Sequence, residues 1–401
     1  MKKNLFLLIM ILCVNKLFSQ SIQNEIKLDF DGAVKMMNVI DAISKLENNE
    51  KIDSLLNTAF KSEAYVISEE RFGAEDQAVP VTLEDFRKFI KSFTPDSVNY
   101  VSNNKRLIFL KPYFQDAVDN PKKYHALIDK IKSITQDEIN ITLKKALDWS
   151  LPDTKIDVTI LISFDIGGAA WAYKSENGKN YIMYSVPFLP DESGNFNKDF
   201  FLYTIAHEIH HIGFPIDTVL SLYNYEQLKD TSRLKLYTDF IAGMIKEGMA
   251  QKFCSNAPNK FSSKPYINEI FASTPKGIEN WDYFISDFEN IHDSAQVFLK
   301  QIVNGQITNP EKFYKRYDNY WTWRAGNIEN KEFVFGRRYY YGAELLGVVN
   351  MALSKEPLYK IMKDYRKLPY YYNIAIKKLR PNDYENYIFE DEIVNAILHL
   401  Q

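Results

Sequence analysis

His207-Glu208-Ile209-His210-His211 is the stretch of this chain whose residue types and spacing could do chemistry. The sequence holds six histidines in 401 residues, and three of them fall within these five positions. On a helix, positions four apart stand about 40 degrees from each other and one turn along the axis. His207 and His211 would therefore point the same way, and two imidazoles so placed can grip one divalent ion. Glu208 lies beside them, able to reach a water held by that ion and take its proton without being a ligand. Phe201, Leu202, Ile205, Ile209 and Ile212 make the segment largely apolar, and a buried helix has little reason to carry several ionisable groups unless they are used. His210 points to one side of the pair and is expected to be structural.

Two histidines and a water leave a tetrahedral zinc site one ligand short. Glu247, in Ile245-Lys246-Glu247-Gly248-Met249-Ala250-Gln251, is the best candidate for the third. Its neighbours Gly243, Gly248 and Ala250 are small, which lets two helix backbones approach closely enough for one carboxylate to reach a metal held by the other. Gln251, one turn later, could hydrogen-bond a ligand histidine from behind. Asp217, six residues beyond His211 and just after Gly213, is the rival third ligand. Cys254 reads as a small buried apolar residue rather than a nucleophile.

These groups must be positioned by surrounding elements. Asp199 to Ile212 reads as the helix carrying the histidines, stopped by Gly213 and Pro215, and Leu234 to Cys254 as the helix carrying Glu247. Before them, Asp157–Phe164 and Tyr181–Pro187 are β-branched and aromatic runs, separated by Gly167-Gly168 and a polar turn over Lys174–Lys179. They predict two or three strands of a small antiparallel sheet. From residue 21 to 150 apolar residues recur at three and four, as in Val34, Met37, Val39, Ile40 and Ile43, so this region is expected to be all-helical. Thr82 and Thr135 open capping boxes, and Asn120-Pro121 and Asn309-Pro310 mark further helix starts. Helices dominate again from about residue 231. The expected fold class is thus α+β, predominantly α-helical.

Composition narrows the partners. A formal net charge of -3 with 25% charged residues gives no basic excess for phosphate-driven binding to nucleic acid. Residues 1–20, with Lys2-Lys3, an apolar stretch from Leu5 to Val14 and a polar end at Ser19-Gln20, have the layout of a secretory signal peptide, too short for a membrane span. Export to the periplasm or beyond, with cleavage near Gln20, is the expectation. Cleavage would remove Cys13 and leave Cys254 alone, so no intramolecular disulfide could form.

The HEIHH segment followed by a helix bearing Glu-Gly-Met-Ala resembles the gluzincin metallopeptidases and, more narrowly, a group of exported bacterial proteins classed as zinc-dependent peptidases. The resemblance covers about Asp157 to Cys254, with the Tyr339-Tyr340-Tyr341-Gly342 segment as an addition. It implies a zincin-like catalytic region over 151–401, Zn2+ on His207, His211 and Glu247, Glu208 as general base, and a peptide or protein substrate. Such enzymes lay the substrate along an edge strand, here Tyr181–Pro187 or Gly167–Tyr173. They also use a donor to the developing oxyanion, for which Tyr340 is the expected residue. Gln251 stands where gluzincins often carry an acid. The competing functional reading is a binding or scaffold protein that holds zinc and cuts nothing; an intact Glu208 argues against it, because a structural zinc site closes with four protein ligands.

Overall fold

Local chemistry sets many of the helix boundaries. Thr82 and Thr135 accept from the backbone N–H groups of Asp85 and Glu138, whose carboxylates bond back, completing both capping boxes. Asn309 caps its helix through Lys312 N–H at 2.9 Å. Asn120 differs: it precedes Pro121 at the helix start, but its side-chain amide donates to Asp116 of the preceding helix instead.

The computed structural model describes residues 25–73, 79–94, 102–190, 194–261, 275–322 and 336–401; the signal peptide expected over 1–20 lies outside them. The first half holds β1 (Glu25–Asp29), α1 (Asp31–Ser44), α2 (Asn49–Ala59), α3 (Glu63–Phe72), α4 (Leu83–Lys91), α5 (Lys105–Asp119), α6 (Pro121–Lys132), α7 (Gln136–Leu147), β2 (Asp157–Ser163), β3 (Ala170–Lys174) and β4 (Asn180–Ser185). There follow α8 (Lys198–Gly213), α9 (Ile216–Leu222), α10 (Arg233–Met249), α11 (Pro275–Ser286), α12 (Phe288–Val303), α13 (Pro310–Trp321), α14 (Arg337–Leu353), α15 (Glu356–Lys363), α16 (Lys367–Leu379) and α17 (Asp391–Leu398). No described helix is long and apolar enough to cross a membrane.

The described sheet has four strands in the order β1-β2-β4-β3 and is mixed, which corrects the antiparallel expectation. β1 runs parallel to β2 with Glu25 opposite Asp157, and β2 parallel to β4 with Thr159 opposite Tyr181. Only β3 is antiparallel, with Ala170 opposite Tyr184. The N-terminal region is therefore not all-helical. Its strand EIKLD is five residues long, and its partner lies far along the chain, so no local turn announces the pairing. Burial of Val158, Ile160, Leu161 and Ile162 follows from helices on both faces of β2 and β4. Alternate side chains point to opposite faces. Tyr181 and Tyr173 reach Glu63 and Glu70 of α3 on one face, while Tyr184 packs on Phe201 of α8 on the other.

Buried apolar side chains form two clusters. One runs from Ile26 to Ile209 and includes Cys254; the other runs from Phe214 to Leu400. They divide at the end of α8. Within the second cluster α10 and α14 lie in backbone contact, because Gly248 and Gly342 face each other: a Cβ on Gly342 would stand 1.9 Å from the Met244 carbonyl oxygen.

Candidate metal centre

Helix α8 starts at Asn197, whose side chain accepts from the Phe200 N–H, and it seats Phe201, Ile205 and Ile209 in the first core. Its phase then carries His207 and His211 to the surface facing α10. The two rings are 4.5 Å apart and nearly perpendicular. Glu247 comes from the last turn of α10, held close by the glycine contact with α14. Its Oε2 lies 3.0 Å from His211 Nε2 and 3.4 Å from His207 Nε2. One ligand atom from each residue falls within 4.8 Å of the others, so that among the described residues this trio forms a group able to hold a metal ion.

Zinc fits these residues. Nitrogen and oxygen ligands about 2.1 Å from a tetrahedral zinc stand about 3.4 Å from each other, close to the separations found here. Two imidazoles and one carboxylate also suit zinc better than the oxygen-only sets of magnesium or calcium. Electrostatics are consistent with a carboxylate ready to ligate: burial would raise the Glu247 carboxyl, but the His211 and His207 imidazoles outweigh it and hold it well below the usual range. Burial pushes His211 down despite Glu247, in the direction of the neutral form that a ligand must have.

Around the trio the structure sorts the other candidates. His210 is fully buried, 3.3 Å from the Trp149 carbonyl and against Phe214, with burial pushing it down to about 3. Asp217 is exposed at the start of α9 and stands outside the trio. Cys254 is buried, and burial pushes its thiol up to about 12. A described partner of His207 Nδ1 is Ser255 Oγ at 3.3 Å. Gln251 is itself buried in the π-helical turn Ala250–Cys254 that follows α10 and delivers Ser255 to this position.

Tyr340 is not where the oxyanion role would need it. Its ring is buried between Trp281 and Phe284, and its hydroxyl donates to Glu344 at 3.2 Å. The preceding residue, Tyr339, is within electrostatic reach of Glu247. The Tyr339 phenol is raised chiefly by the charge of Glu247, then by burial, with Glu208 also in range, so it stays protonated as a donor. Arg338 hydrogen-bonds Tyr339; burial alone would lower its guanidinium, but Tyr339, Glu247 and Tyr317 raise it. Gly243, one turn before Glu247, lies against Arg338, and a Cβ there would make only an ordinary contact, 3.6 Å from Arg338 Nη1. Glu208 is half-buried, within the electrostatic reach of Arg71, Tyr184 and Tyr339.

Residues 49–380 match the model of a family described as "Putative zinc dependent peptidase (DUF5700)". No curated protein and no solved structure matches the chain.

Proposed function

The chain belongs to the family whose model spans most of it, and from that premise we propose that it is a zinc-dependent peptidase with His207, His211 and Glu247 as the metal ligands and Glu208 as general base. The observation that carries this is the convergence of one carboxylate and two imidazoles from separate helices onto a single point. Zinc bound there would supply an acidified water and a Lewis acid for the scissile carbonyl. Glu208 takes the proton of the attacking water and passes it to the leaving nitrogen. Tyr339 and Arg338, rather than Tyr340, donate to the oxygen on which negative charge develops. Between the two strands that could line a cleft, β4 is interior and β3 is an edge, so the main chain of β3 is the one free to pair with an extended substrate. The zincin-like arrangement then consists of this edge strand, α8 below it and α10 across from it.

Metal analysis joined to a cleavage assay tests the reading. The protein is expected to hold one zinc per chain and to cut a mixed peptide library in a chelator-sensitive manner. Glu247→Ala, which removes one of three protein ligands, is expected to lower zinc affinity by at least about a hundredfold, more than is typical for losing an outer-shell partner. One zinc per chain with no cleavage of any peptide would favour the non-catalytic zinc protein.

The two tyrosines give a second test. Tyr339→Phe is expected to lower kcat by about a hundredfold with KM little changed, the mark of an interaction made in the transition state. Tyr340→Phe should leave kcat within about threefold and cost stability through Glu344 instead. The reverse pattern in kcat would return the role to Tyr340.

A further inference from the structure

Strand β3 is an edge whose free groups can be assigned. Ser185 N–H donates to the Ala169 carbonyl and Ser175 N–H to that of Lys179. Odd-numbered residues of this ladder therefore bond β4, and Ala170 and Ala172 turn their N–H and C=O outward. The outward carbonyl of Ala172 is already taken: Arg71 Nη1 donates to it at 2.9 Å. Arg71 comes from the last turn of α3, on the sheet face away from α8, and reaches round the edge with its guanidinium 4.3 Å from the Trp171 ring centre. Arg106, from the first turn of α5, lies 4.4 Å over Phe72 and 3.4 Å from the Gly167 carbonyl. Two half-buried cations thus bracket the segment from Gly167 to Ala172.

Neither guanidinium is bonded to a carboxylate among the described residues, and Arg106 Nε is buried with no partner there. Two acids act on them through space: Glu208 on Arg71, without a bond to it, and Asp165 on both, which is buried and committed to Ser68 Oγ, Trp171 Nε1 and Gly167 N–H at 2.5, 2.6 and 2.7 Å. Arginine does not lose its proton, so among the described residues these charges stand partly desolvated and without a bonded carboxylate, an arrangement that a bound anion would relieve. A guanidinium fork matches a carboxylate in geometry as well as charge. Main-chain pairing of a substrate along β3 also ends at Ala172, where Arg71 fills the next position.

We propose that the site selects peptides that bear a carboxylate and docks that group on Arg71 and Arg106, where the free edge of β3 stops. This rests on the peptidase reading above and names its substrate class. The carboxylate is either the C-terminal α-carboxylate or an Asp or Glu side chain close to the scissile bond.

Paired peptides separate the two sources: a free acid against its C-terminal amide, and an internal Glu against Gln in an amidated peptide. With the zinc-loaded full chain, one pair is expected to show a KM about tenfold or more lower for the charged member, the scale of a hydrogen bond to a charged group. Arg71→Gln and Arg106→Gln should each narrow that ratio toward one, with zinc content and melting temperature measured alongside. Equal KM values within both pairs would overturn the proposal, as would variants that weaken charged and neutral peptides equally, since that is what a purely structural arginine would do. Binding of fluorescent versions of the same pairs to the full chain gives a readout without turnover. If no peptide is cut, the peptidase reading fails; charge-selective binding lost in the arginine variants would still support carboxylate docking, and equal binding would refute it.

Discussion

Glu208→Gln is expected to bind zinc as the parent does and to lower kcat by about a thousandfold, within the range that a positioned general base contributes. Glutamine keeps the size of the side chain and one hydrogen-bond acceptor but cannot take up a proton. The metal is expected to stay because the trio that can hold it, His207, His211 and Glu247, does not include residue 208. Zinc analysis and steady-state kinetics on the same preparation check both halves. A variant that retained a tenth of the parental kcat would remove Glu208 from the role of base, and one that lost its zinc would make it a structural member of the site.

Gly342→Ala is the second large effect, and it acts from outside the site. The added Cβ would sit 1.9 Å from the Met244 carbonyl oxygen and 3.1 Å from the Gly248 Cα, so backbone rather than a flexible side chain must give way. Helices α10 and α14 have to part, and Glu247 travels with α10. Overpacking of this kind costs about 3 kcal/mol, the upper part of the usual range, which corresponds to a fall in Tm on the order of 5 °C. Zinc affinity should fall as well, because the carboxylate no longer meets the imidazoles. Gly243→Ala on the same helix is the control: its Cβ would make ordinary contacts, 3.5 Å from the Tyr317 hydroxyl and 3.6 Å from Arg338 Nη1. Helix propensity then favours alanine, and stability should hold or rise by up to about 1 kcal/mol. Calorimetry of the two variants, with an unchanged Tm for Gly342→Ala as the contrary result, decides whether the glycine contact sets the position of Glu247.

What could be read from the sequence was what local chemistry encodes. The HExxH spacing brings two histidines together on any helix, and the small residues around Glu247 report a close helix approach, although Gly248 meets Gly342 of α14 and not the histidine helix. The expected helices Asp199–Ile212 and Leu234–Cys254 compare with Lys198–Gly213 and with Arg233–Met249 plus its π-helical turn. Strand β1 was hidden because five residues of mixed polarity pair in parallel with a segment distant in sequence. Tyr339 was passed over for Tyr340 because three consecutive tyrosines open α14, whose next residues are buried on every side; no polar face marks which tyrosine comes within electrostatic reach of Glu247. Arg71 was silent for a different reason, since its partners Trp171 and Ala172 lie about a hundred residues on. Ser255 could have been suspected only from the extra residue that a π turn inserts, and such turns have no clear sequence signature.

The division of the molecule into two apolar clusters gives the metal a mechanical part to play. His207 belongs to the helix that closes the first cluster, and Glu247 to a helix packed inside the second. An ion shared between them is a rivet across a seam: part of its binding energy goes into holding the halves in register, and whatever pries the halves apart must also loosen the ion. On the proposed peptidase reading, catalytic competence and the cohesion of the two halves are then coupled, so that stripping the metal is expected both to silence the protein and to open its seam to proteolysis.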